Sequence, residues 1–289
     1  MQRLVFLFPG QGTVPSAIPE TPLSKKLLAH AETLGVPLLE VLAADDAVRL
    51  HRADVVQPLI FVDEVTKDAL LRVRGIRPDA VAGHSLGEYA ALASAGVLDV
   101  FEGLDLVVAR GRAMRSTRGA MAAIVKLEQG VVADICRQIG DDVVIANHNG
   151  ERQFVVSGTE PAVAAAAAAA AGRGGRAVPL DVSGPFHSPL MGAAAAEFAA
   201  LLRRATFKDP SVPVVSAVSG TPEESGDRLQ RLMVDQMTAG VQWVDVVRWM
   251  ASAGVARAIE VGPGRVLSGL GRRIAPGIEF HSFEEATSG

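Results

Sequence analysis

Apolar positions along the 289-residue chain alternate between short unbroken runs and helical spacings. Leu4 to Phe8 is a run of buried-strand type, stopped by Pro9-Gly10, and the proline-containing stretch 11–22 reads as a loop. Leu23 to Leu34 and Pro58 to Val73 have apolar residues at helical spacing, Asp79 to Gly83 is a short strand, and Leu86 to Ala95 is a helix ended by Gly96. Leu104 to Met114 is helical and ends among arginines. The rhythm then shortens. Met121 to Leu127 is a strand, Gly130 to Ile139 a helix, and Asp142 to Ala146 a strand. Gln153 to Ser157 is another strand after a turn at His148-Asn149-Gly150, Pro161 to Ala171 is a helix, and Arg176 to Val182 a strand. Proline opens the fifth of these segments where a missing N–H costs least, and its alanine run favours helix. Beyond it, helices are expected at Ala193–Arg204, about 227–237 and about 244–253, a strand at Val212–Ala217, and a strand leading into a glycine turn over Ala258–Gly264.

The middle segment has the order β-α-β-β-α-β, the ferredoxin-like arrangement. Residues 118–182 are therefore expected to form a small inserted domain, with 1–117 and 183–289 building a larger α/β domain. Composition adds boundaries. The mass is 30.1 kDa. A 49% hydrophobic fraction with 21% charged residues suits a chain with a substantial core, and a net charge of −4 gives no basic excess for nucleic acid. The single cysteine, Cys136, excludes an intramolecular disulfide, and no charge-free apolar run is long enough for a membrane span or a signal segment. A cytoplasmic protein, bound neither to membrane nor to nucleic acid, is expected, and no metal cluster is suggested.

The chemistry-bearing stretch is VAGHSLGEYAALASAG, Val81 to Gly96. G-x-S-x-G between a strand and a helix is the nucleophile-elbow pattern: the turn is sharp, the serine backbone strained, and side chains at Gly83 and Gly87 would collide with neighbours. The elbow places Ser85 Oγ at a helix N-terminus, where backbone N–H groups such as that of Leu86 and the helix dipole face a developing oxyanion. The pattern by itself occurs often by chance; strand and helix in register favour a nucleophile over a plain turn. A serine nucleophile needs a base. Of the six histidines, His84 adjoins the serine and points the other way, so it is a poor base and is counted with the substrate contacts instead. His30 and His51 lie in polar helical or loop surroundings, His148 in a turn, and His281 near the end of the chain. His187, in DVSGPFHSPLM, stands in a Gly/Pro-bounded loop at the domain junction, where sites concentrate. The other reading of that loop is a displayed, solvated histidine.

PGQG at Pro9–Gly12, GHSLGEYAAL at Gly83–Leu92, ARGRAM at Ala109–Met114, ANHNG at Ala146–Gly150, SGPFHSPLM at Ser183–Met191 and EVGPGRVLSGL at Glu260–Leu270 occur in this order. Together they resemble the malonyl-CoA:acyl carrier protein acyltransferases of fatty-acid and polyketide synthesis, over residues from about 3 to about 274. The resemblance implies an α/β-hydrolase-like large domain carrying the inserted small one. It implies Ser85 as acylated nucleophile and His187 as its base, oriented by a backbone carbonyl at Gln236 rather than by a carboxylate. Asp181 is then a strand-end residue. It implies an oxyanion hole from the N–H groups of Gln11 and Leu86, and Arg110 as the partner of the malonyl carboxylate, which guanidinium grips in a fork that lysine cannot copy. Phe186 before the histidine and Leu86 after the serine go with malonyl rather than methylmalonyl in polyketide members. Arg112, Arg115 and Arg118 read equally as a solvated helix end or as a docking face for an acidic carrier or coenzyme A phosphates.

The implied reaction is a ping-pong transfer from malonyl-CoA to an acyl carrier protein. Coenzyme A thioester is a substrate, no cofactor is involved, and the working species is a monomer. A serine esterase or thioesterase on the same elbow, a silent scaffold, and the malonyl-transferring subunit of a malonate decarboxylase are the other readings. The loop after PGQG, TVPSAIPETPLSKK, is shorter and richer in proline than the family pattern and bears on acyl and carrier preference.

Overall fold

The computed structural model describes residues 3–44, 47–50, 52–182 and 184–288; His51 and Ser183 lie outside the described residues. One sheet contains β1 (Arg3–Phe8), β2 (Ala80–Gly83), β7 (Val214–Val215), β8 (Pro222–Glu223), β9 (Val255–Glu260) and β10 (Glu279–Ser282), in the order β10-β9-β1-β2-β7-β8. Every pairing in it is parallel except β7 with β8. The second sheet contains β3 (Ala120–Val125), β4 (Val143–Gly150), β5 (Gln153–Gly158) and β6 (Arg176–Pro179), antiparallel in the order β4-β5-β3-β6.

Strand periodicity explains why the first sheet needs cover on both faces. In β1, Leu4, Phe6 and Phe8 join a core built with the helices Pro22–Thr33, Ala53–Val73, Gly87–Ser94 and Val100–Arg115. Val5 and Leu7 point the other way, into a second core with Trp243, Val246, Val247, Leu267 and Leu270 from the helices Trp243–Ser252 and Val266–Ile274. The small sheet is layered differently. Ile124, Phe154 and Val156 pack under the helices Gln129–Ile139 and Glu160–Gly172, while Met121, Ala123 and Val155 on the opposite face look into the cleft between the two sheets. Strand β4 is also stitched to the larger sheet's side of the molecule by backbone bonds, His148 N–H to Val241 O at 2.8 Å and Val241 N–H to Ala146 O at 2.8 Å.

The structure departs from the sequence expectation in several places. The helix assigned to Pro58–Val73 begins at Ala53, so Pro58 is internal and Asp54, not the proline, occupies the first turn. Proline removes one helix donor there, but the residues Ala53 to Gln57 before it are all buried, and their packing outweighs that loss. The segment His148–Gly150 is not a turn. It continues β4, with one register shift before it, between Ile145 and Asn147, and one within it, between His148 and Gly150, and the reversal falls at Glu151-Arg152. Strand β6 stops at Pro179, so Asp181 lies in the following loop and lines the cleft instead of ending a strand. The short helices Leu38–Ala43 and Ala47–Leu50, the strands β8 and β10, and the helices Val266–Ile274 and Phe283–Thr287 were not anticipated. No described helix is long and apolar enough to cross a membrane.

Candidate active site

Ser85 sits in the turn between β2 and the helix Gly87–Ser94 with φ 55°, a left-handed conformation uncommon for a residue with a β-carbon. The two glycines around it are required by close approach. A Cβ on Gly83 would lie 2.2 Å from Glu88 N, and one on Gly87 would lie 2.0 Å from Phe8 O. The elbow is thus pressed against the end of β1, and the Pro9–Gly12 loop is pressed against the elbow in turn: His84 N–H bonds Phe8 O at 2.9 Å, and a Cβ on Gly10 would stand 2.7 Å from His84 O.

The structure brings His187 to the serine. Ser85 Oγ and His187 Nε2 are 2.7 Å apart. His187 also has a positive φ, 58°, in a loop locked by the Ser188 hydroxyl donating to Pro185 O at 2.6 Å. Its Nδ1 meets the carbonyl oxygens of Gln236 and Ala239, each at 3.0 Å. Both are acceptors, so Nδ1 carries the proton and Nε2 presents its lone pair to the serine. The two carbonyls follow the helix Gly226–Asp235, whose C-terminal end favours a transient imidazolium. Burial, followed by the positive charge of Arg110, pushes the His187 pKa down to about 3, with the carbonyls opposing. The imidazole is neutral at pH 7, as a base must be.

Arg110 lies on the helix Val100–Arg115 and is 1% exposed. Its guanidinium donates to Gln57 Oε1 at 2.8 Å and to Ser85 Oγ at 3.2 Å, and it lies over the Tyr89 ring. Among the described residues it forms no ion pair, and its Nε has no hydrogen-bond partner. The nearest opposing charge is the buried Glu88, which acts on Arg110 electrostatically without forming an ion pair with it, and a buried cation so thinly balanced is costly. An anion arriving next to Ser85 would be paired and desolvated at once.

Ser85 and His187 open onto a cleft of about 390 Å³ between the two sheets, whereas the buried Arg110 does not line it. Its walls include Gln11, Ser85, His187, Phe186, Asn149 and Leu270. His84 lines it too, with Nε2 2.9 Å from Asn149 Oδ1 and its ring beside Trp243. Burial keeps His84 below its usual pKa, which suits a wall residue. The backbone N–H groups of Gln11 and Leu86 make no hydrogen bond among the described residues and remain available to an oxyanion. The remaining described histidines are elsewhere: His30 pairs with Asp105, His148 stacks on Phe154, and His281 sits near Glu279. Arg115 is paired with Asp54, and Arg112 with Leu34 O.

Sequence reasoning missed Gln57 and Glu88. Gln57 orients Arg110 from one side, and its Nε2 is 3.4 Å from Gln11 Oε1. Glu88, 2% exposed, accepts from the Gln236 side chain at 2.6 Å, the Ser216 hydroxyl at 2.9 Å and Ala217 N–H at 2.9 Å. A glutamate one place after an elbow glycine, at the start of an otherwise apolar helix, is the signal that could have pointed to it.

The acyl transferase domain family profile matches residues 5–273. A malonyl CoA-acyl carrier protein transacylase of Synechocystis sp. is 39% identical over 96% of both chains, and one of Escherichia coli K12 is 36% identical over 100% of this chain and 98% of its own. A malonyl-transacylase solved in complex with its type II PKS acyl-carrier protein superposes with a TM-score of 0.91 at 31% identity, covering 97% of this chain and 95% of that one. The chain belongs to the acyl transferase family and is an acyltransferase.

Two outcomes follow from the geometry. Gly87→Ala should cost about 3 kcal/mol or more of stability, because its methyl meets backbone that cannot yield; urea unfolding measures it. Because the lowered His187 pKa keeps the base form down to about pH 3, Ser85 reactivity toward an uncharged acylating reagent should stay level through pH 6.5. An inflection near 6.5 in a stopped-flow profile would mean a solvated imidazole.

Proposed function

We propose that the protein transfers a malonyl group from coenzyme A to the phosphopantetheine thiol of an acyl carrier protein, through a malonyl ester on Ser85. The observation that carries this reading is the buried, un-ion-paired Arg110 guanidinium 3.2 Å from Ser85 Oγ. It suits an acyl group with a second, free carboxylate one short step from the reacting carbonyl. The names of the relatives support both the malonyl donor and the carrier acceptor.

In the first half-reaction His187 Nε2 takes the Ser85 hydroxyl proton as Oγ attacks the thioester carbonyl. The tetrahedral oxyanion accepts from the N–H groups of Gln11 and Leu86. The C–S bond breaks, the departing coenzyme A sulfur takes the proton from His187, and the acyl group stays on Ser85. In the second half-reaction the carrier's thiol gives its proton to His187 and its sulfur attacks the ester. The C–O bond breaks and Ser85 recovers the proton. Phe186 and Leu86 limit space beside the α-carbon and favour malonyl over methylmalonyl, and His84 with Asn149 forms the wall along the incoming arm. A hydrolase reading calls for an acid behind the histidine, whereas the Nδ1 partners are the carbonyls of Gln236 and Ala239. No cofactor enters the scheme.

We take residues 1–117 and 183–289 as an α/β-hydrolase-like catalytic unit and 118–182 as a ferredoxin-like insertion, supported by the parallel sheet with its elbow and by the strand order β6-β3-β5-β4.

Intact-protein mass spectrometry after brief mixing with malonyl-CoA should give a malonyl adduct that Ser85→Ala lacks; an adduct surviving in that variant removes Ser85 as nucleophile. Arg110→Ala should cost malonyl transfer about 2–5 kcal/mol and acetyl transfer much less. Equal losses in kcat/KM for the two donors would mean that Arg110 does not read the carboxylate.

A further inference from the structure

Gln236 touches both members of the Ser–His pair. Its backbone carbonyl accepts from His187 Nδ1, and its side-chain Nε2 donates to Ser85 O at 2.8 Å. The second hydrogen of the same Nε2 goes to Glu88 Oε2 at 2.6 Å. The amide orientation is forced, since its oxygen in that place would face two acceptors. Glu88 is fixed in turn by Ser216 Oγ and Ala217 N–H on its other oxygen. Gln236 and Glu88 are 1% and 2% exposed, so water does not compete.

Ser85 O belongs to the same planar peptide unit as Leu86 N–H, and in a trans peptide the two point opposite ways. Ser85 O also accepts from Glu88 N–H at 3.1 Å, so the Gln236 amide is the second and shorter donor on it, and the two together aim Leu86 N–H away from both. Bonds in series also polarise one another, so an acceptor loaded at one end makes a stronger donor at the other. We propose that Glu88 and the Gln236 side chain are positioning residues that hold and polarise the Ser85–Leu86 peptide, and thereby set the strength of the oxyanion donor. The chain of contacts runs from Ser216 and Ala217 through Glu88 and Gln236 to the peptide, and ends at the reacting oxygen. The proposal rests on the reading of Leu86 N–H as an oxyanion donor.

The test is rapid-quench measurement of the Ser85 acylation rate with malonyl-CoA in wild type, Gln236→Leu and the exchanged pair Glu88→Gln with Gln236→Glu. The exchanged pair can rebuild a hydrogen bond between positions 88 and 236, with the amide oxygen now at position 88 still free to accept from Ser216 and Ala217. A carboxylate at 236, however, has no hydrogen for Ser85 O. Expected is a fall in acylation rate of about tenfold to a hundredfold in both variants with KM for malonyl-CoA unchanged, while the exchanged pair is thermally more stable than Glu88→Gln alone. Wild-type rates in the exchanged pair, or in Gln236→Leu, overturn the proposal and leave the pair a structural contact. A wild-type protein that takes no malonyl group at all removes the reading of the site itself, which is a different result from a fast exchanged pair.

Discussion

The contact on which the rest of the molecule depends is backbone against backbone: the elbow glycine, Gly87, set against the last carbonyl of β1 with no space for a methyl group. That approach brings the start of the helix Gly87–Ser94 over the end of the central strand. It holds Ser85 at a positive φ, and the N–H of Leu86 is left without a hydrogen bond among the described residues. His187 reaches the serine through a second left-handed residue in a locked loop. Two residues with strained backbones, their side chains meeting at 2.7 Å, persist only where packing over-determines them, and here the cores on both faces of the larger sheet do so.

Electrostatics in the site follow from burial. Arg110 has lost its water and gained Gln57, the Tyr89 ring and a serine hydroxyl, none of them an anion. Its charge also bears on His187, which burial already keeps in the neutral form. Glu88 offsets that charge only from a distance, so a carboxylate placed beside Arg110 would relieve two costs together, the thinly balanced cation and the suppressed base.

Much of this was legible in the sequence, because local chemistry demands specific letters. The sharp turn asks for glycine at Gly83 and Gly87, and the arginine expected beside the serine is found buried with its guanidinium 3.2 Å from Ser85 Oγ. Strand and helix rhythms through residues 118–182 match the elements found, since each short segment buries one face. What was hidden depends on long-range packing. Pro58 suggested a helix start, but burial of the preceding turn carried the helix back to Ala53 and so delivered Gln57 to Arg110. His148-Asn149-Gly150 spells a turn locally, yet pairing with β5 and the bonds to Val241 hold it extended. Glu88 and Gln236 are far apart in the chain, and nothing short of the fold puts a carboxylate behind the amide.

The stitching of β4 to Val241 has a consequence for traffic. The bonds from Ala146 and His148 run backbone to backbone on both sides of Asn147, and the His84–Asn149 contact continues the same seam toward the serine. The smaller sheet is therefore fastened to the larger part of the molecule along β4 as well as by its two chain connections. Any widening of the cleft at that edge has to break backbone bonds first, so whatever enters there meets a seam.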